Sequence, residues 1–224
     1  MFTQRGICMD SNSVLMVIGG LVLVAGVISL SSKKSKKPTN TQPQTDNSPK
    51  WFFGPLVKGK NYSKGMPESP TPQGTGWTMS FPDVNGEVDA VVNFNPPSLV
   101  GAKGVTLHYS VTGSGFLAST ENNVPGRVGI VLQRKGDNWS GSGQYQQYRL
   151  YGQSRPLLVA GDNQQVVATV WTDVMGQVAS QTVVDTVFAN LDNVAVCFGG
   201  SFASHGVFVT QPSTFTLKEF EVLR

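Results

Sequence analysis

Thr214-Phe215-Thr216-Leu217-Lys218-Glu219-Phe220-Glu221-Val222 lies close to the end of the 224-residue chain. Phe215 and Leu217 alternate with threonines, and Phe220 and Val222 alternate with glutamates. Side chains of a strand point to opposite faces in turn, so each half reads as a strand with one buried face. The two halves are out of phase by one residue at Lys218-Glu219, which predicts a β-bulge there. Working backwards, the same texture recurs at Trp77–Phe81, Glu87–Phe94, Val105–Val111, Val128–Arg134, Tyr145–Tyr151, Gln165–Thr172, Val194–Phe198 and Val207–Thr210. Turn chemistry separates these runs: Asn85-Gly86, Thr112-Gly113-Ser114-Gly115, Gly136-Asp137-Asn138, Gly161-Asp162-Asn163 and Gly199-Gly200. Thr182 to Leu191 reads as the one short helix of this region.

Nine or more short strands at this spacing predict an all-β, jelly-roll-like antiparallel β-sandwich. The strand near Trp77 is expected beside the last strand near Phe220, closing the domain. Composition agrees. Charged residues are only 14%, glycines number 25, and neutral polar side chains fill the remaining surface, which suits strands and turns better than helices.

Outward from the domain, the pattern changes. Ser11 to Ser32 carries no charge, and Val14 to Ile28 is almost wholly apolar. As a helix it is long enough to cross a bilayer. Lys33, Lys34, Lys36 and Lys37 follow it, against Arg5 alone before it. A cleavable signal peptide would carry its positive charge on the other side, so the segment reads as an uncleaved anchor. The positive-inside rule then puts the C-terminal domain on the cytoplasmic side. The organisation that follows is a short N-terminal segment (1–10), a transmembrane helix (11–32), a disordered linker (33–75), basic and then rich in Pro, Thr and Asn, and the sandwich (76–224). Trp51-Phe52-Phe53 interrupts the linker. Three adjacent aromatics are costly to leave in water, so they are expected to dock, onto the domain, the membrane interface or a partner.

Chemistry is sparse. His108 and His205 lack the spaced second ligand a zinc site needs. No Gly-x-Ser-x-Gly elbow occurs. Glu87-Val88-Asp89 resembles the start of the Glu-x-Asp-x-x-Glu set of jelly-roll glycosidases, but Val92 stands where the acid would be. The reading is therefore non-enzymatic, with neither cofactor nor metal. The net charge of +3 is concentrated in the lysine cluster, so the domain has no nucleic-acid footprint. Cys197, in Val194-Ala195-Val196-Cys197-Phe198, reads as a buried thiol, and a disulfide to Cys8 across the membrane segment is discounted. Trp139, Tyr145, Tyr148 and Tyr151, among Asn, Gln and Asp, could form a sugar-binding face, with Tyr145 and Tyr151 on one side of a strand and Tyr148 on the other.

Gly113 to Val222 resembles a group of uncharacterised β-sandwich proteins encoded by phages and prophages. The resemblance rests on Thr112-Gly113-Ser114-Gly115, Gly136-Asp137-Asn138-Trp139, Trp171 with Val174 and Gly176, Phe198-Gly199-Gly200-Ser201-Phe202, His205-Gly206-Val207 and Phe215-Thr216-Leu217. More loosely, the fold is similar to carbohydrate-binding modules and viral jelly rolls. Two function classes follow. One is a membrane-anchored structural protein of a membrane-containing phage, linking virion membrane to capsid through other structural proteins. The other is a glycan-binding surface attachment module.

Overall fold

A computed structural model describes residues 51–54, 63–121, 124–137, 148–200 and 205–224. The apolar segment Ser11–Ser32 and the lysine cluster lie outside the described residues. Among the described residues, no helix is long and apolar enough to cross a membrane.

The described part is an all-β sandwich of antiparallel strands with one short helix. In chain order the strands are β1 (Trp51–Phe53), β2 (Thr71–Gln73), β3 (Gly76–Ser80), β4 (Ala90–Asn93), β5 (Gly104–Thr112), β6 (Phe116–Ala118) and β7 (Arg127–Arg134). Then come β8 (Arg149–Gly152), β9 (Gly161–Ala168), β10 (Trp171–Thr172), helix α1 (Gln181–Ala189), β11 (Leu191–Gly199), β12 (Val207–Val209) and β13 (Thr214–Leu223). One sheet has six strands in the order β1-β4-β11-β7-β8-β10. The other has five, β2-β3-β13-β5-β9, and β6 pairs with β12 separately. The pairing expected of the Trp77 strand is present: β3 lies against β13 with Trp77 opposite Leu217. The expected bulge is present too, as a register shift between Leu217 and Glu219 where β13 meets β5.

The core lies between the two sheets. Phe198 of the six-stranded sheet meets Phe215 of the five-stranded sheet edge to face, centroids 5.2 Å apart, and Phe215 stacks on Tyr109 at 5.0 Å. The run expected as one strand, Gln165–Thr172, is two. β9 belongs to the five-stranded sheet and β10 to the six-stranded sheet, so Thr169-Val170 carries the chain from one layer to the other. Helix α1 starts at Ser180, whose hydroxyl accepts from the Val183 amide. It buries Val184, Val187 and Phe188, the last edge-on to Trp171 at 5.8 Å.

The domain also begins earlier than residue 76. Of the places expected for Trp51-Phe52-Phe53 to dock, the structure shows the domain itself: the triplet lies not in a linker but in an edge strand of the six-stranded sheet, paired with Val91 to Asn93 of β4. Trp51 and Phe53 point into the sandwich core and are 5% and 4% exposed. Trp51 packs against Trp77 at 5.9 Å and Phe220 at 6.4 Å. Phe52 points the other way, to Phe94 at 6.2 Å. Two of the three rings are therefore used by the chain's own core. Burying about two such rings outweighs the cost of ordering three residues. β2, at Thr71–Gln73, likewise falls inside the expected linker and pairs with β3.

Candidate functional site

The two sheets differ on their outer faces, and the difference locates the site. Outside the five-stranded sheet lie Thr78, Thr216, Ser110, His108 and Glu221, and His108 Nε2 is 3.1 Å from Glu221 Oε2. That is an ordinary wet face. Outside the six-stranded sheet lie Ala90, Val92, Val131, Tyr151, Ala195 and Cys197, a second buried cluster with Phe94 and Val174 packed on it. Both faces of this sheet are buried, which is why β4 and β11 are continuous apolar runs instead of alternating ones.

Polar groups on this outer face form one row set by strand register. Asn193 lies opposite Gln133, and Gln133 lies opposite Arg149. The Asn193 side-chain amide donates to Gln133 Oε1 at 2.6 Å, and Gln133 Nε2 donates to Asp137 Oδ2 at 2.8 Å. Arg149 grips the same carboxylate at both oxygens, Nη2 to Oδ1 at 2.7 Å and Nε to Oδ2. The two side chains are 7% and 2% exposed. A charge pair this dry survives only when its hydrogen bonds are satisfied, and the Gln133 amide, itself held by Asn193, supplies part of that.

The position of this pair matters. Asp137 immediately precedes residues 138–147, and Tyr148 and Arg149 immediately follow them. The Arg149–Asp137 pair thus clamps the two ends of the segment that carries Trp139 and Tyr145. Those two residues lie outside the described residues. A second clasp spans the same ends: the Arg134 amide donates to the Tyr148 carbonyl at 2.7 Å, and the Arg134 guanidinium sits 4.8 Å above the Tyr148 ring.

Tyr151 is buried in the apolar part of the outer face. Burial pushes its phenol up to about 12, against the lowering effect of Arg149. Arg155, from the loop after β8, folds back with its guanidinium 5.7 Å from the Tyr151 ring centroid. Gly129 makes room for it, because a Cβ there would meet Arg155 Cγ and Cys197 Sγ, each at 3.3 Å. Burial pushes the Cys197 thiol up to about 12, with Arg155 lowering it and Asp89 raising it further. It is therefore a protonated packing group at neutral pH and a poor nucleophile.

Glu87 and Asp89 flank Val88, which bridges Val207 just before β4 begins at Ala90. Their amides donate to the Lys64 carbonyl at 2.9 Å and the Ser63 hydroxyl at 3.2 Å. Val92 is fully buried. Ser119 donates its hydroxyl to the carbonyl of His205. Among the described residues, no three His, Cys, Asp or Glu side chains gather as metal ligands. A cleft of about 380 Å³ opens beside the β12–β13 turn, between Asp83, Thr210 and Thr214, and shares no residue with the outer-face cluster. Sequence reasoning missed the Arg149–Asp137–Gln133–Asn193 row. Its signal was three polar residues at outward positions of strands whose other outward residues are apolar.

Comparison with protein-family models, with curated proteins and with solved structures found no match.

Proposed function

We propose that the chain is a membrane-anchored, non-enzymatic structural protein whose sandwich, read as jelly-roll-like, attaches to other structural proteins at a short distance from the bilayer. The phage-type resemblance makes the setting a virion membrane beneath a capsid, with the domain on the cytoplasmic side during assembly. One observation carries the reading: the chain enters the sandwich at Trp51, as a strand whose rings lie in the core. The residues before Trp51 thus join the domain at a strand packed into its core and not at a loose end of its surface. Only residues 33–50 then separate the apolar segment from the domain. Fully extended they reach about 60 Å, and as a flexible chain about 20–25 Å. Such a tether keeps the domain at high local concentration near the membrane, so weak contacts suffice for attachment.

The test is membrane flotation after a high-salt wash, combined with protease protection in intact cells. Full-length protein should float, and its sandwich should be protected. Removing Met1 to Lys37 should leave a soluble folded domain. A full-length chain that stays at the bottom of the gradient would sink the reading.

The glycan-binding reading is favoured by a different observation, the double clasp on the segment carrying Trp139 and Tyr145. A rigid base is what a binding loop needs. Tyr151 and Tyr148 themselves make no joint platform: one is buried beneath Arg155 and the other is engaged by Arg134. Glycan-array binding lost on Trp139→Ala, with the sandwich still folded, would replace the structural reading.

A further inference from the structure

Four strands end the two sheets: β1 and β10 in one, β2 and β9 in the other. Three are blunted. β1 and β2 have three residues each, β10 has two, and β2 contains Pro72. β9 has eight residues, Gly161 to Ala168, and contains no Lys, Arg or Pro. Natural edge strands are usually kept from pairing by shortness, charge, proline or a bulge. β9 has such a device only at its start. Its register with β5 shifts between Tyr109 and Val111, Asn163 has φ 55°, and Lys218 Nζ holds the Asn163 side chain at 2.8 Å. From Gln164 to Ala168 the strand runs regularly along β5, and among the described residues no strand pairs with its other edge. Val167 is 39% exposed, and Leu157, Val159 and Val170 are exposed close by in sequence.

We propose that this edge, unpaired among the described residues, is a self-association surface: β9 pairs antiparallel with β9 of a second copy, joining two five-stranded sheets into one of ten. The chemistry of the edge favours a second copy over a charged peptide. Five regular residues carry no charge, so the strand offers a foreign chain no ionic recognition, whereas a two-fold axis at Val166 brings together matching surfaces. Gln165 then faces Val167 of the second copy, and Gln164 faces Ala168. Asp162 falls outside the paired stretch, so no like charges oppose each other. Backbone groups on the open side of both strands find partners, and the exposed valines beside the edge gain cover. The paired area is smaller than the roughly 1,200–2,000 Å² of a permanent interface, so exchange is rapid and reversible.

Crosslinking of the full chain in detergent micelles tests this, in a Cys8→Ser background with Cys197 left buried. Gln165→Cys should be joined by a short bismaleimide about tenfold faster than Val84→Cys, because only the first places two thiols within reach across the axis. Val84 sits in the turn after β3, on the far side of the sheet from β9. Adding Val167→Lys, or Val167→Glu, should each reduce the Gln165→Cys crosslink about tenfold, since either charge guards an edge. Melting should be unchanged, because the site is exposed. Equal crosslinking at residues 165 and 84, or crosslinking at 165 that survives both charges, would overturn the proposal.

Discussion

Replacing Trp51 by Ser separates an aromatic that belongs to the sandwich from one that belongs to a tether. The ring is 5% exposed and packs on Trp77 and Phe220. Removing a buried tryptophan costs about 3–5 kcal/mol in transfer and cavity terms. The hydroxyl of Ser adds to this unless it finds a partner. Because β1 is only three residues long and sits at an edge, it can detach as a unit, so the upper bound is the whole contribution of β1. In a domain of this size, 1 kcal/mol moves the midpoint by about 2–4 °C, so the expected fall in Tm is about 6–20 °C. Phe52→Ser is the internal control. Its half-buried ring faces outward to Phe94, and about 1 kcal/mol, or 2–4 °C, is expected. Near-UV circular dichroism against temperature on purified full-length protein reads both. If Trp51→Ser and Phe52→Ser shifted the midpoint equally, and by under about 2 °C, the assignment of Trp51 to the core would be refuted and the triplet would return to the tether.

Asp137→Asn should cost about 3–5 kcal/mol in urea unfolding, because it strands the buried Arg149 charge; a loss under about 1 kcal/mol would mean that water already reaches the pair. Cys197 should react with a thiol reagent only as fast as the domain unfolds, since its thiol is buried and protonated; rapid labelling of the native protein would contradict this. Stability should fall in alkali. Cys197, Tyr151 and Tyr109 all have folded values raised to about 12, so between about 9–10 and 12 the unfolded chain gives up protons that the folded chain keeps. Their contribution is complete below about pH 9 and is lost at about 1.4 kcal/mol per group per pH unit as pH rises through that window, which urea titration at several pH values would detect. Gly76→Ala should be severely destabilising, because its Cβ would run into the backbone carbonyl of Leu217, and a folded variant of normal stability would show the β3–β13 pairing to be looser than described.

What could be read from the sequence follows the periodicity of each strand. β13 and β5 have one dry and one wet face, so the alternation of apolar and polar residues gives their span, their facing and even the bulge at Lys218-Glu219. β4 and β11 are dry on both faces. Their runs, Ala90-Val91-Val92 and Val194 to Phe198, mark them as strands but conceal which side chains face the core. Gln165–Thr172 looked like one strand because no glycine or proline marks the corner at Thr169-Val170. β1, β2 and β6 are three residues each and show no alternation of apolar and polar side chains.

The outer-face site escaped for a related reason. Gln133, Arg149 and Asn193 are each unremarkable alone, and only cross-strand register between β11, β7 and β8 sets them in a row. Asp137 was noticed only as turn chemistry, yet the turn is what delivers its carboxylate to Arg149. A row of this kind costs desolvation that well-packed apolar residues would avoid, often by 1–4 kcal/mol. What it gives in return is a fixed geometry at the base of residues 138–147. An apolar row would hold β7 and β8 together without orienting their ends, whereas a bidentate arginine admits one arrangement of the two ends. The clasp therefore fixes how the end of β7 and the start of β8 are held against each other. Swapping Arg149 and Asp137 for an apolar pair is the way to separate that role from stability.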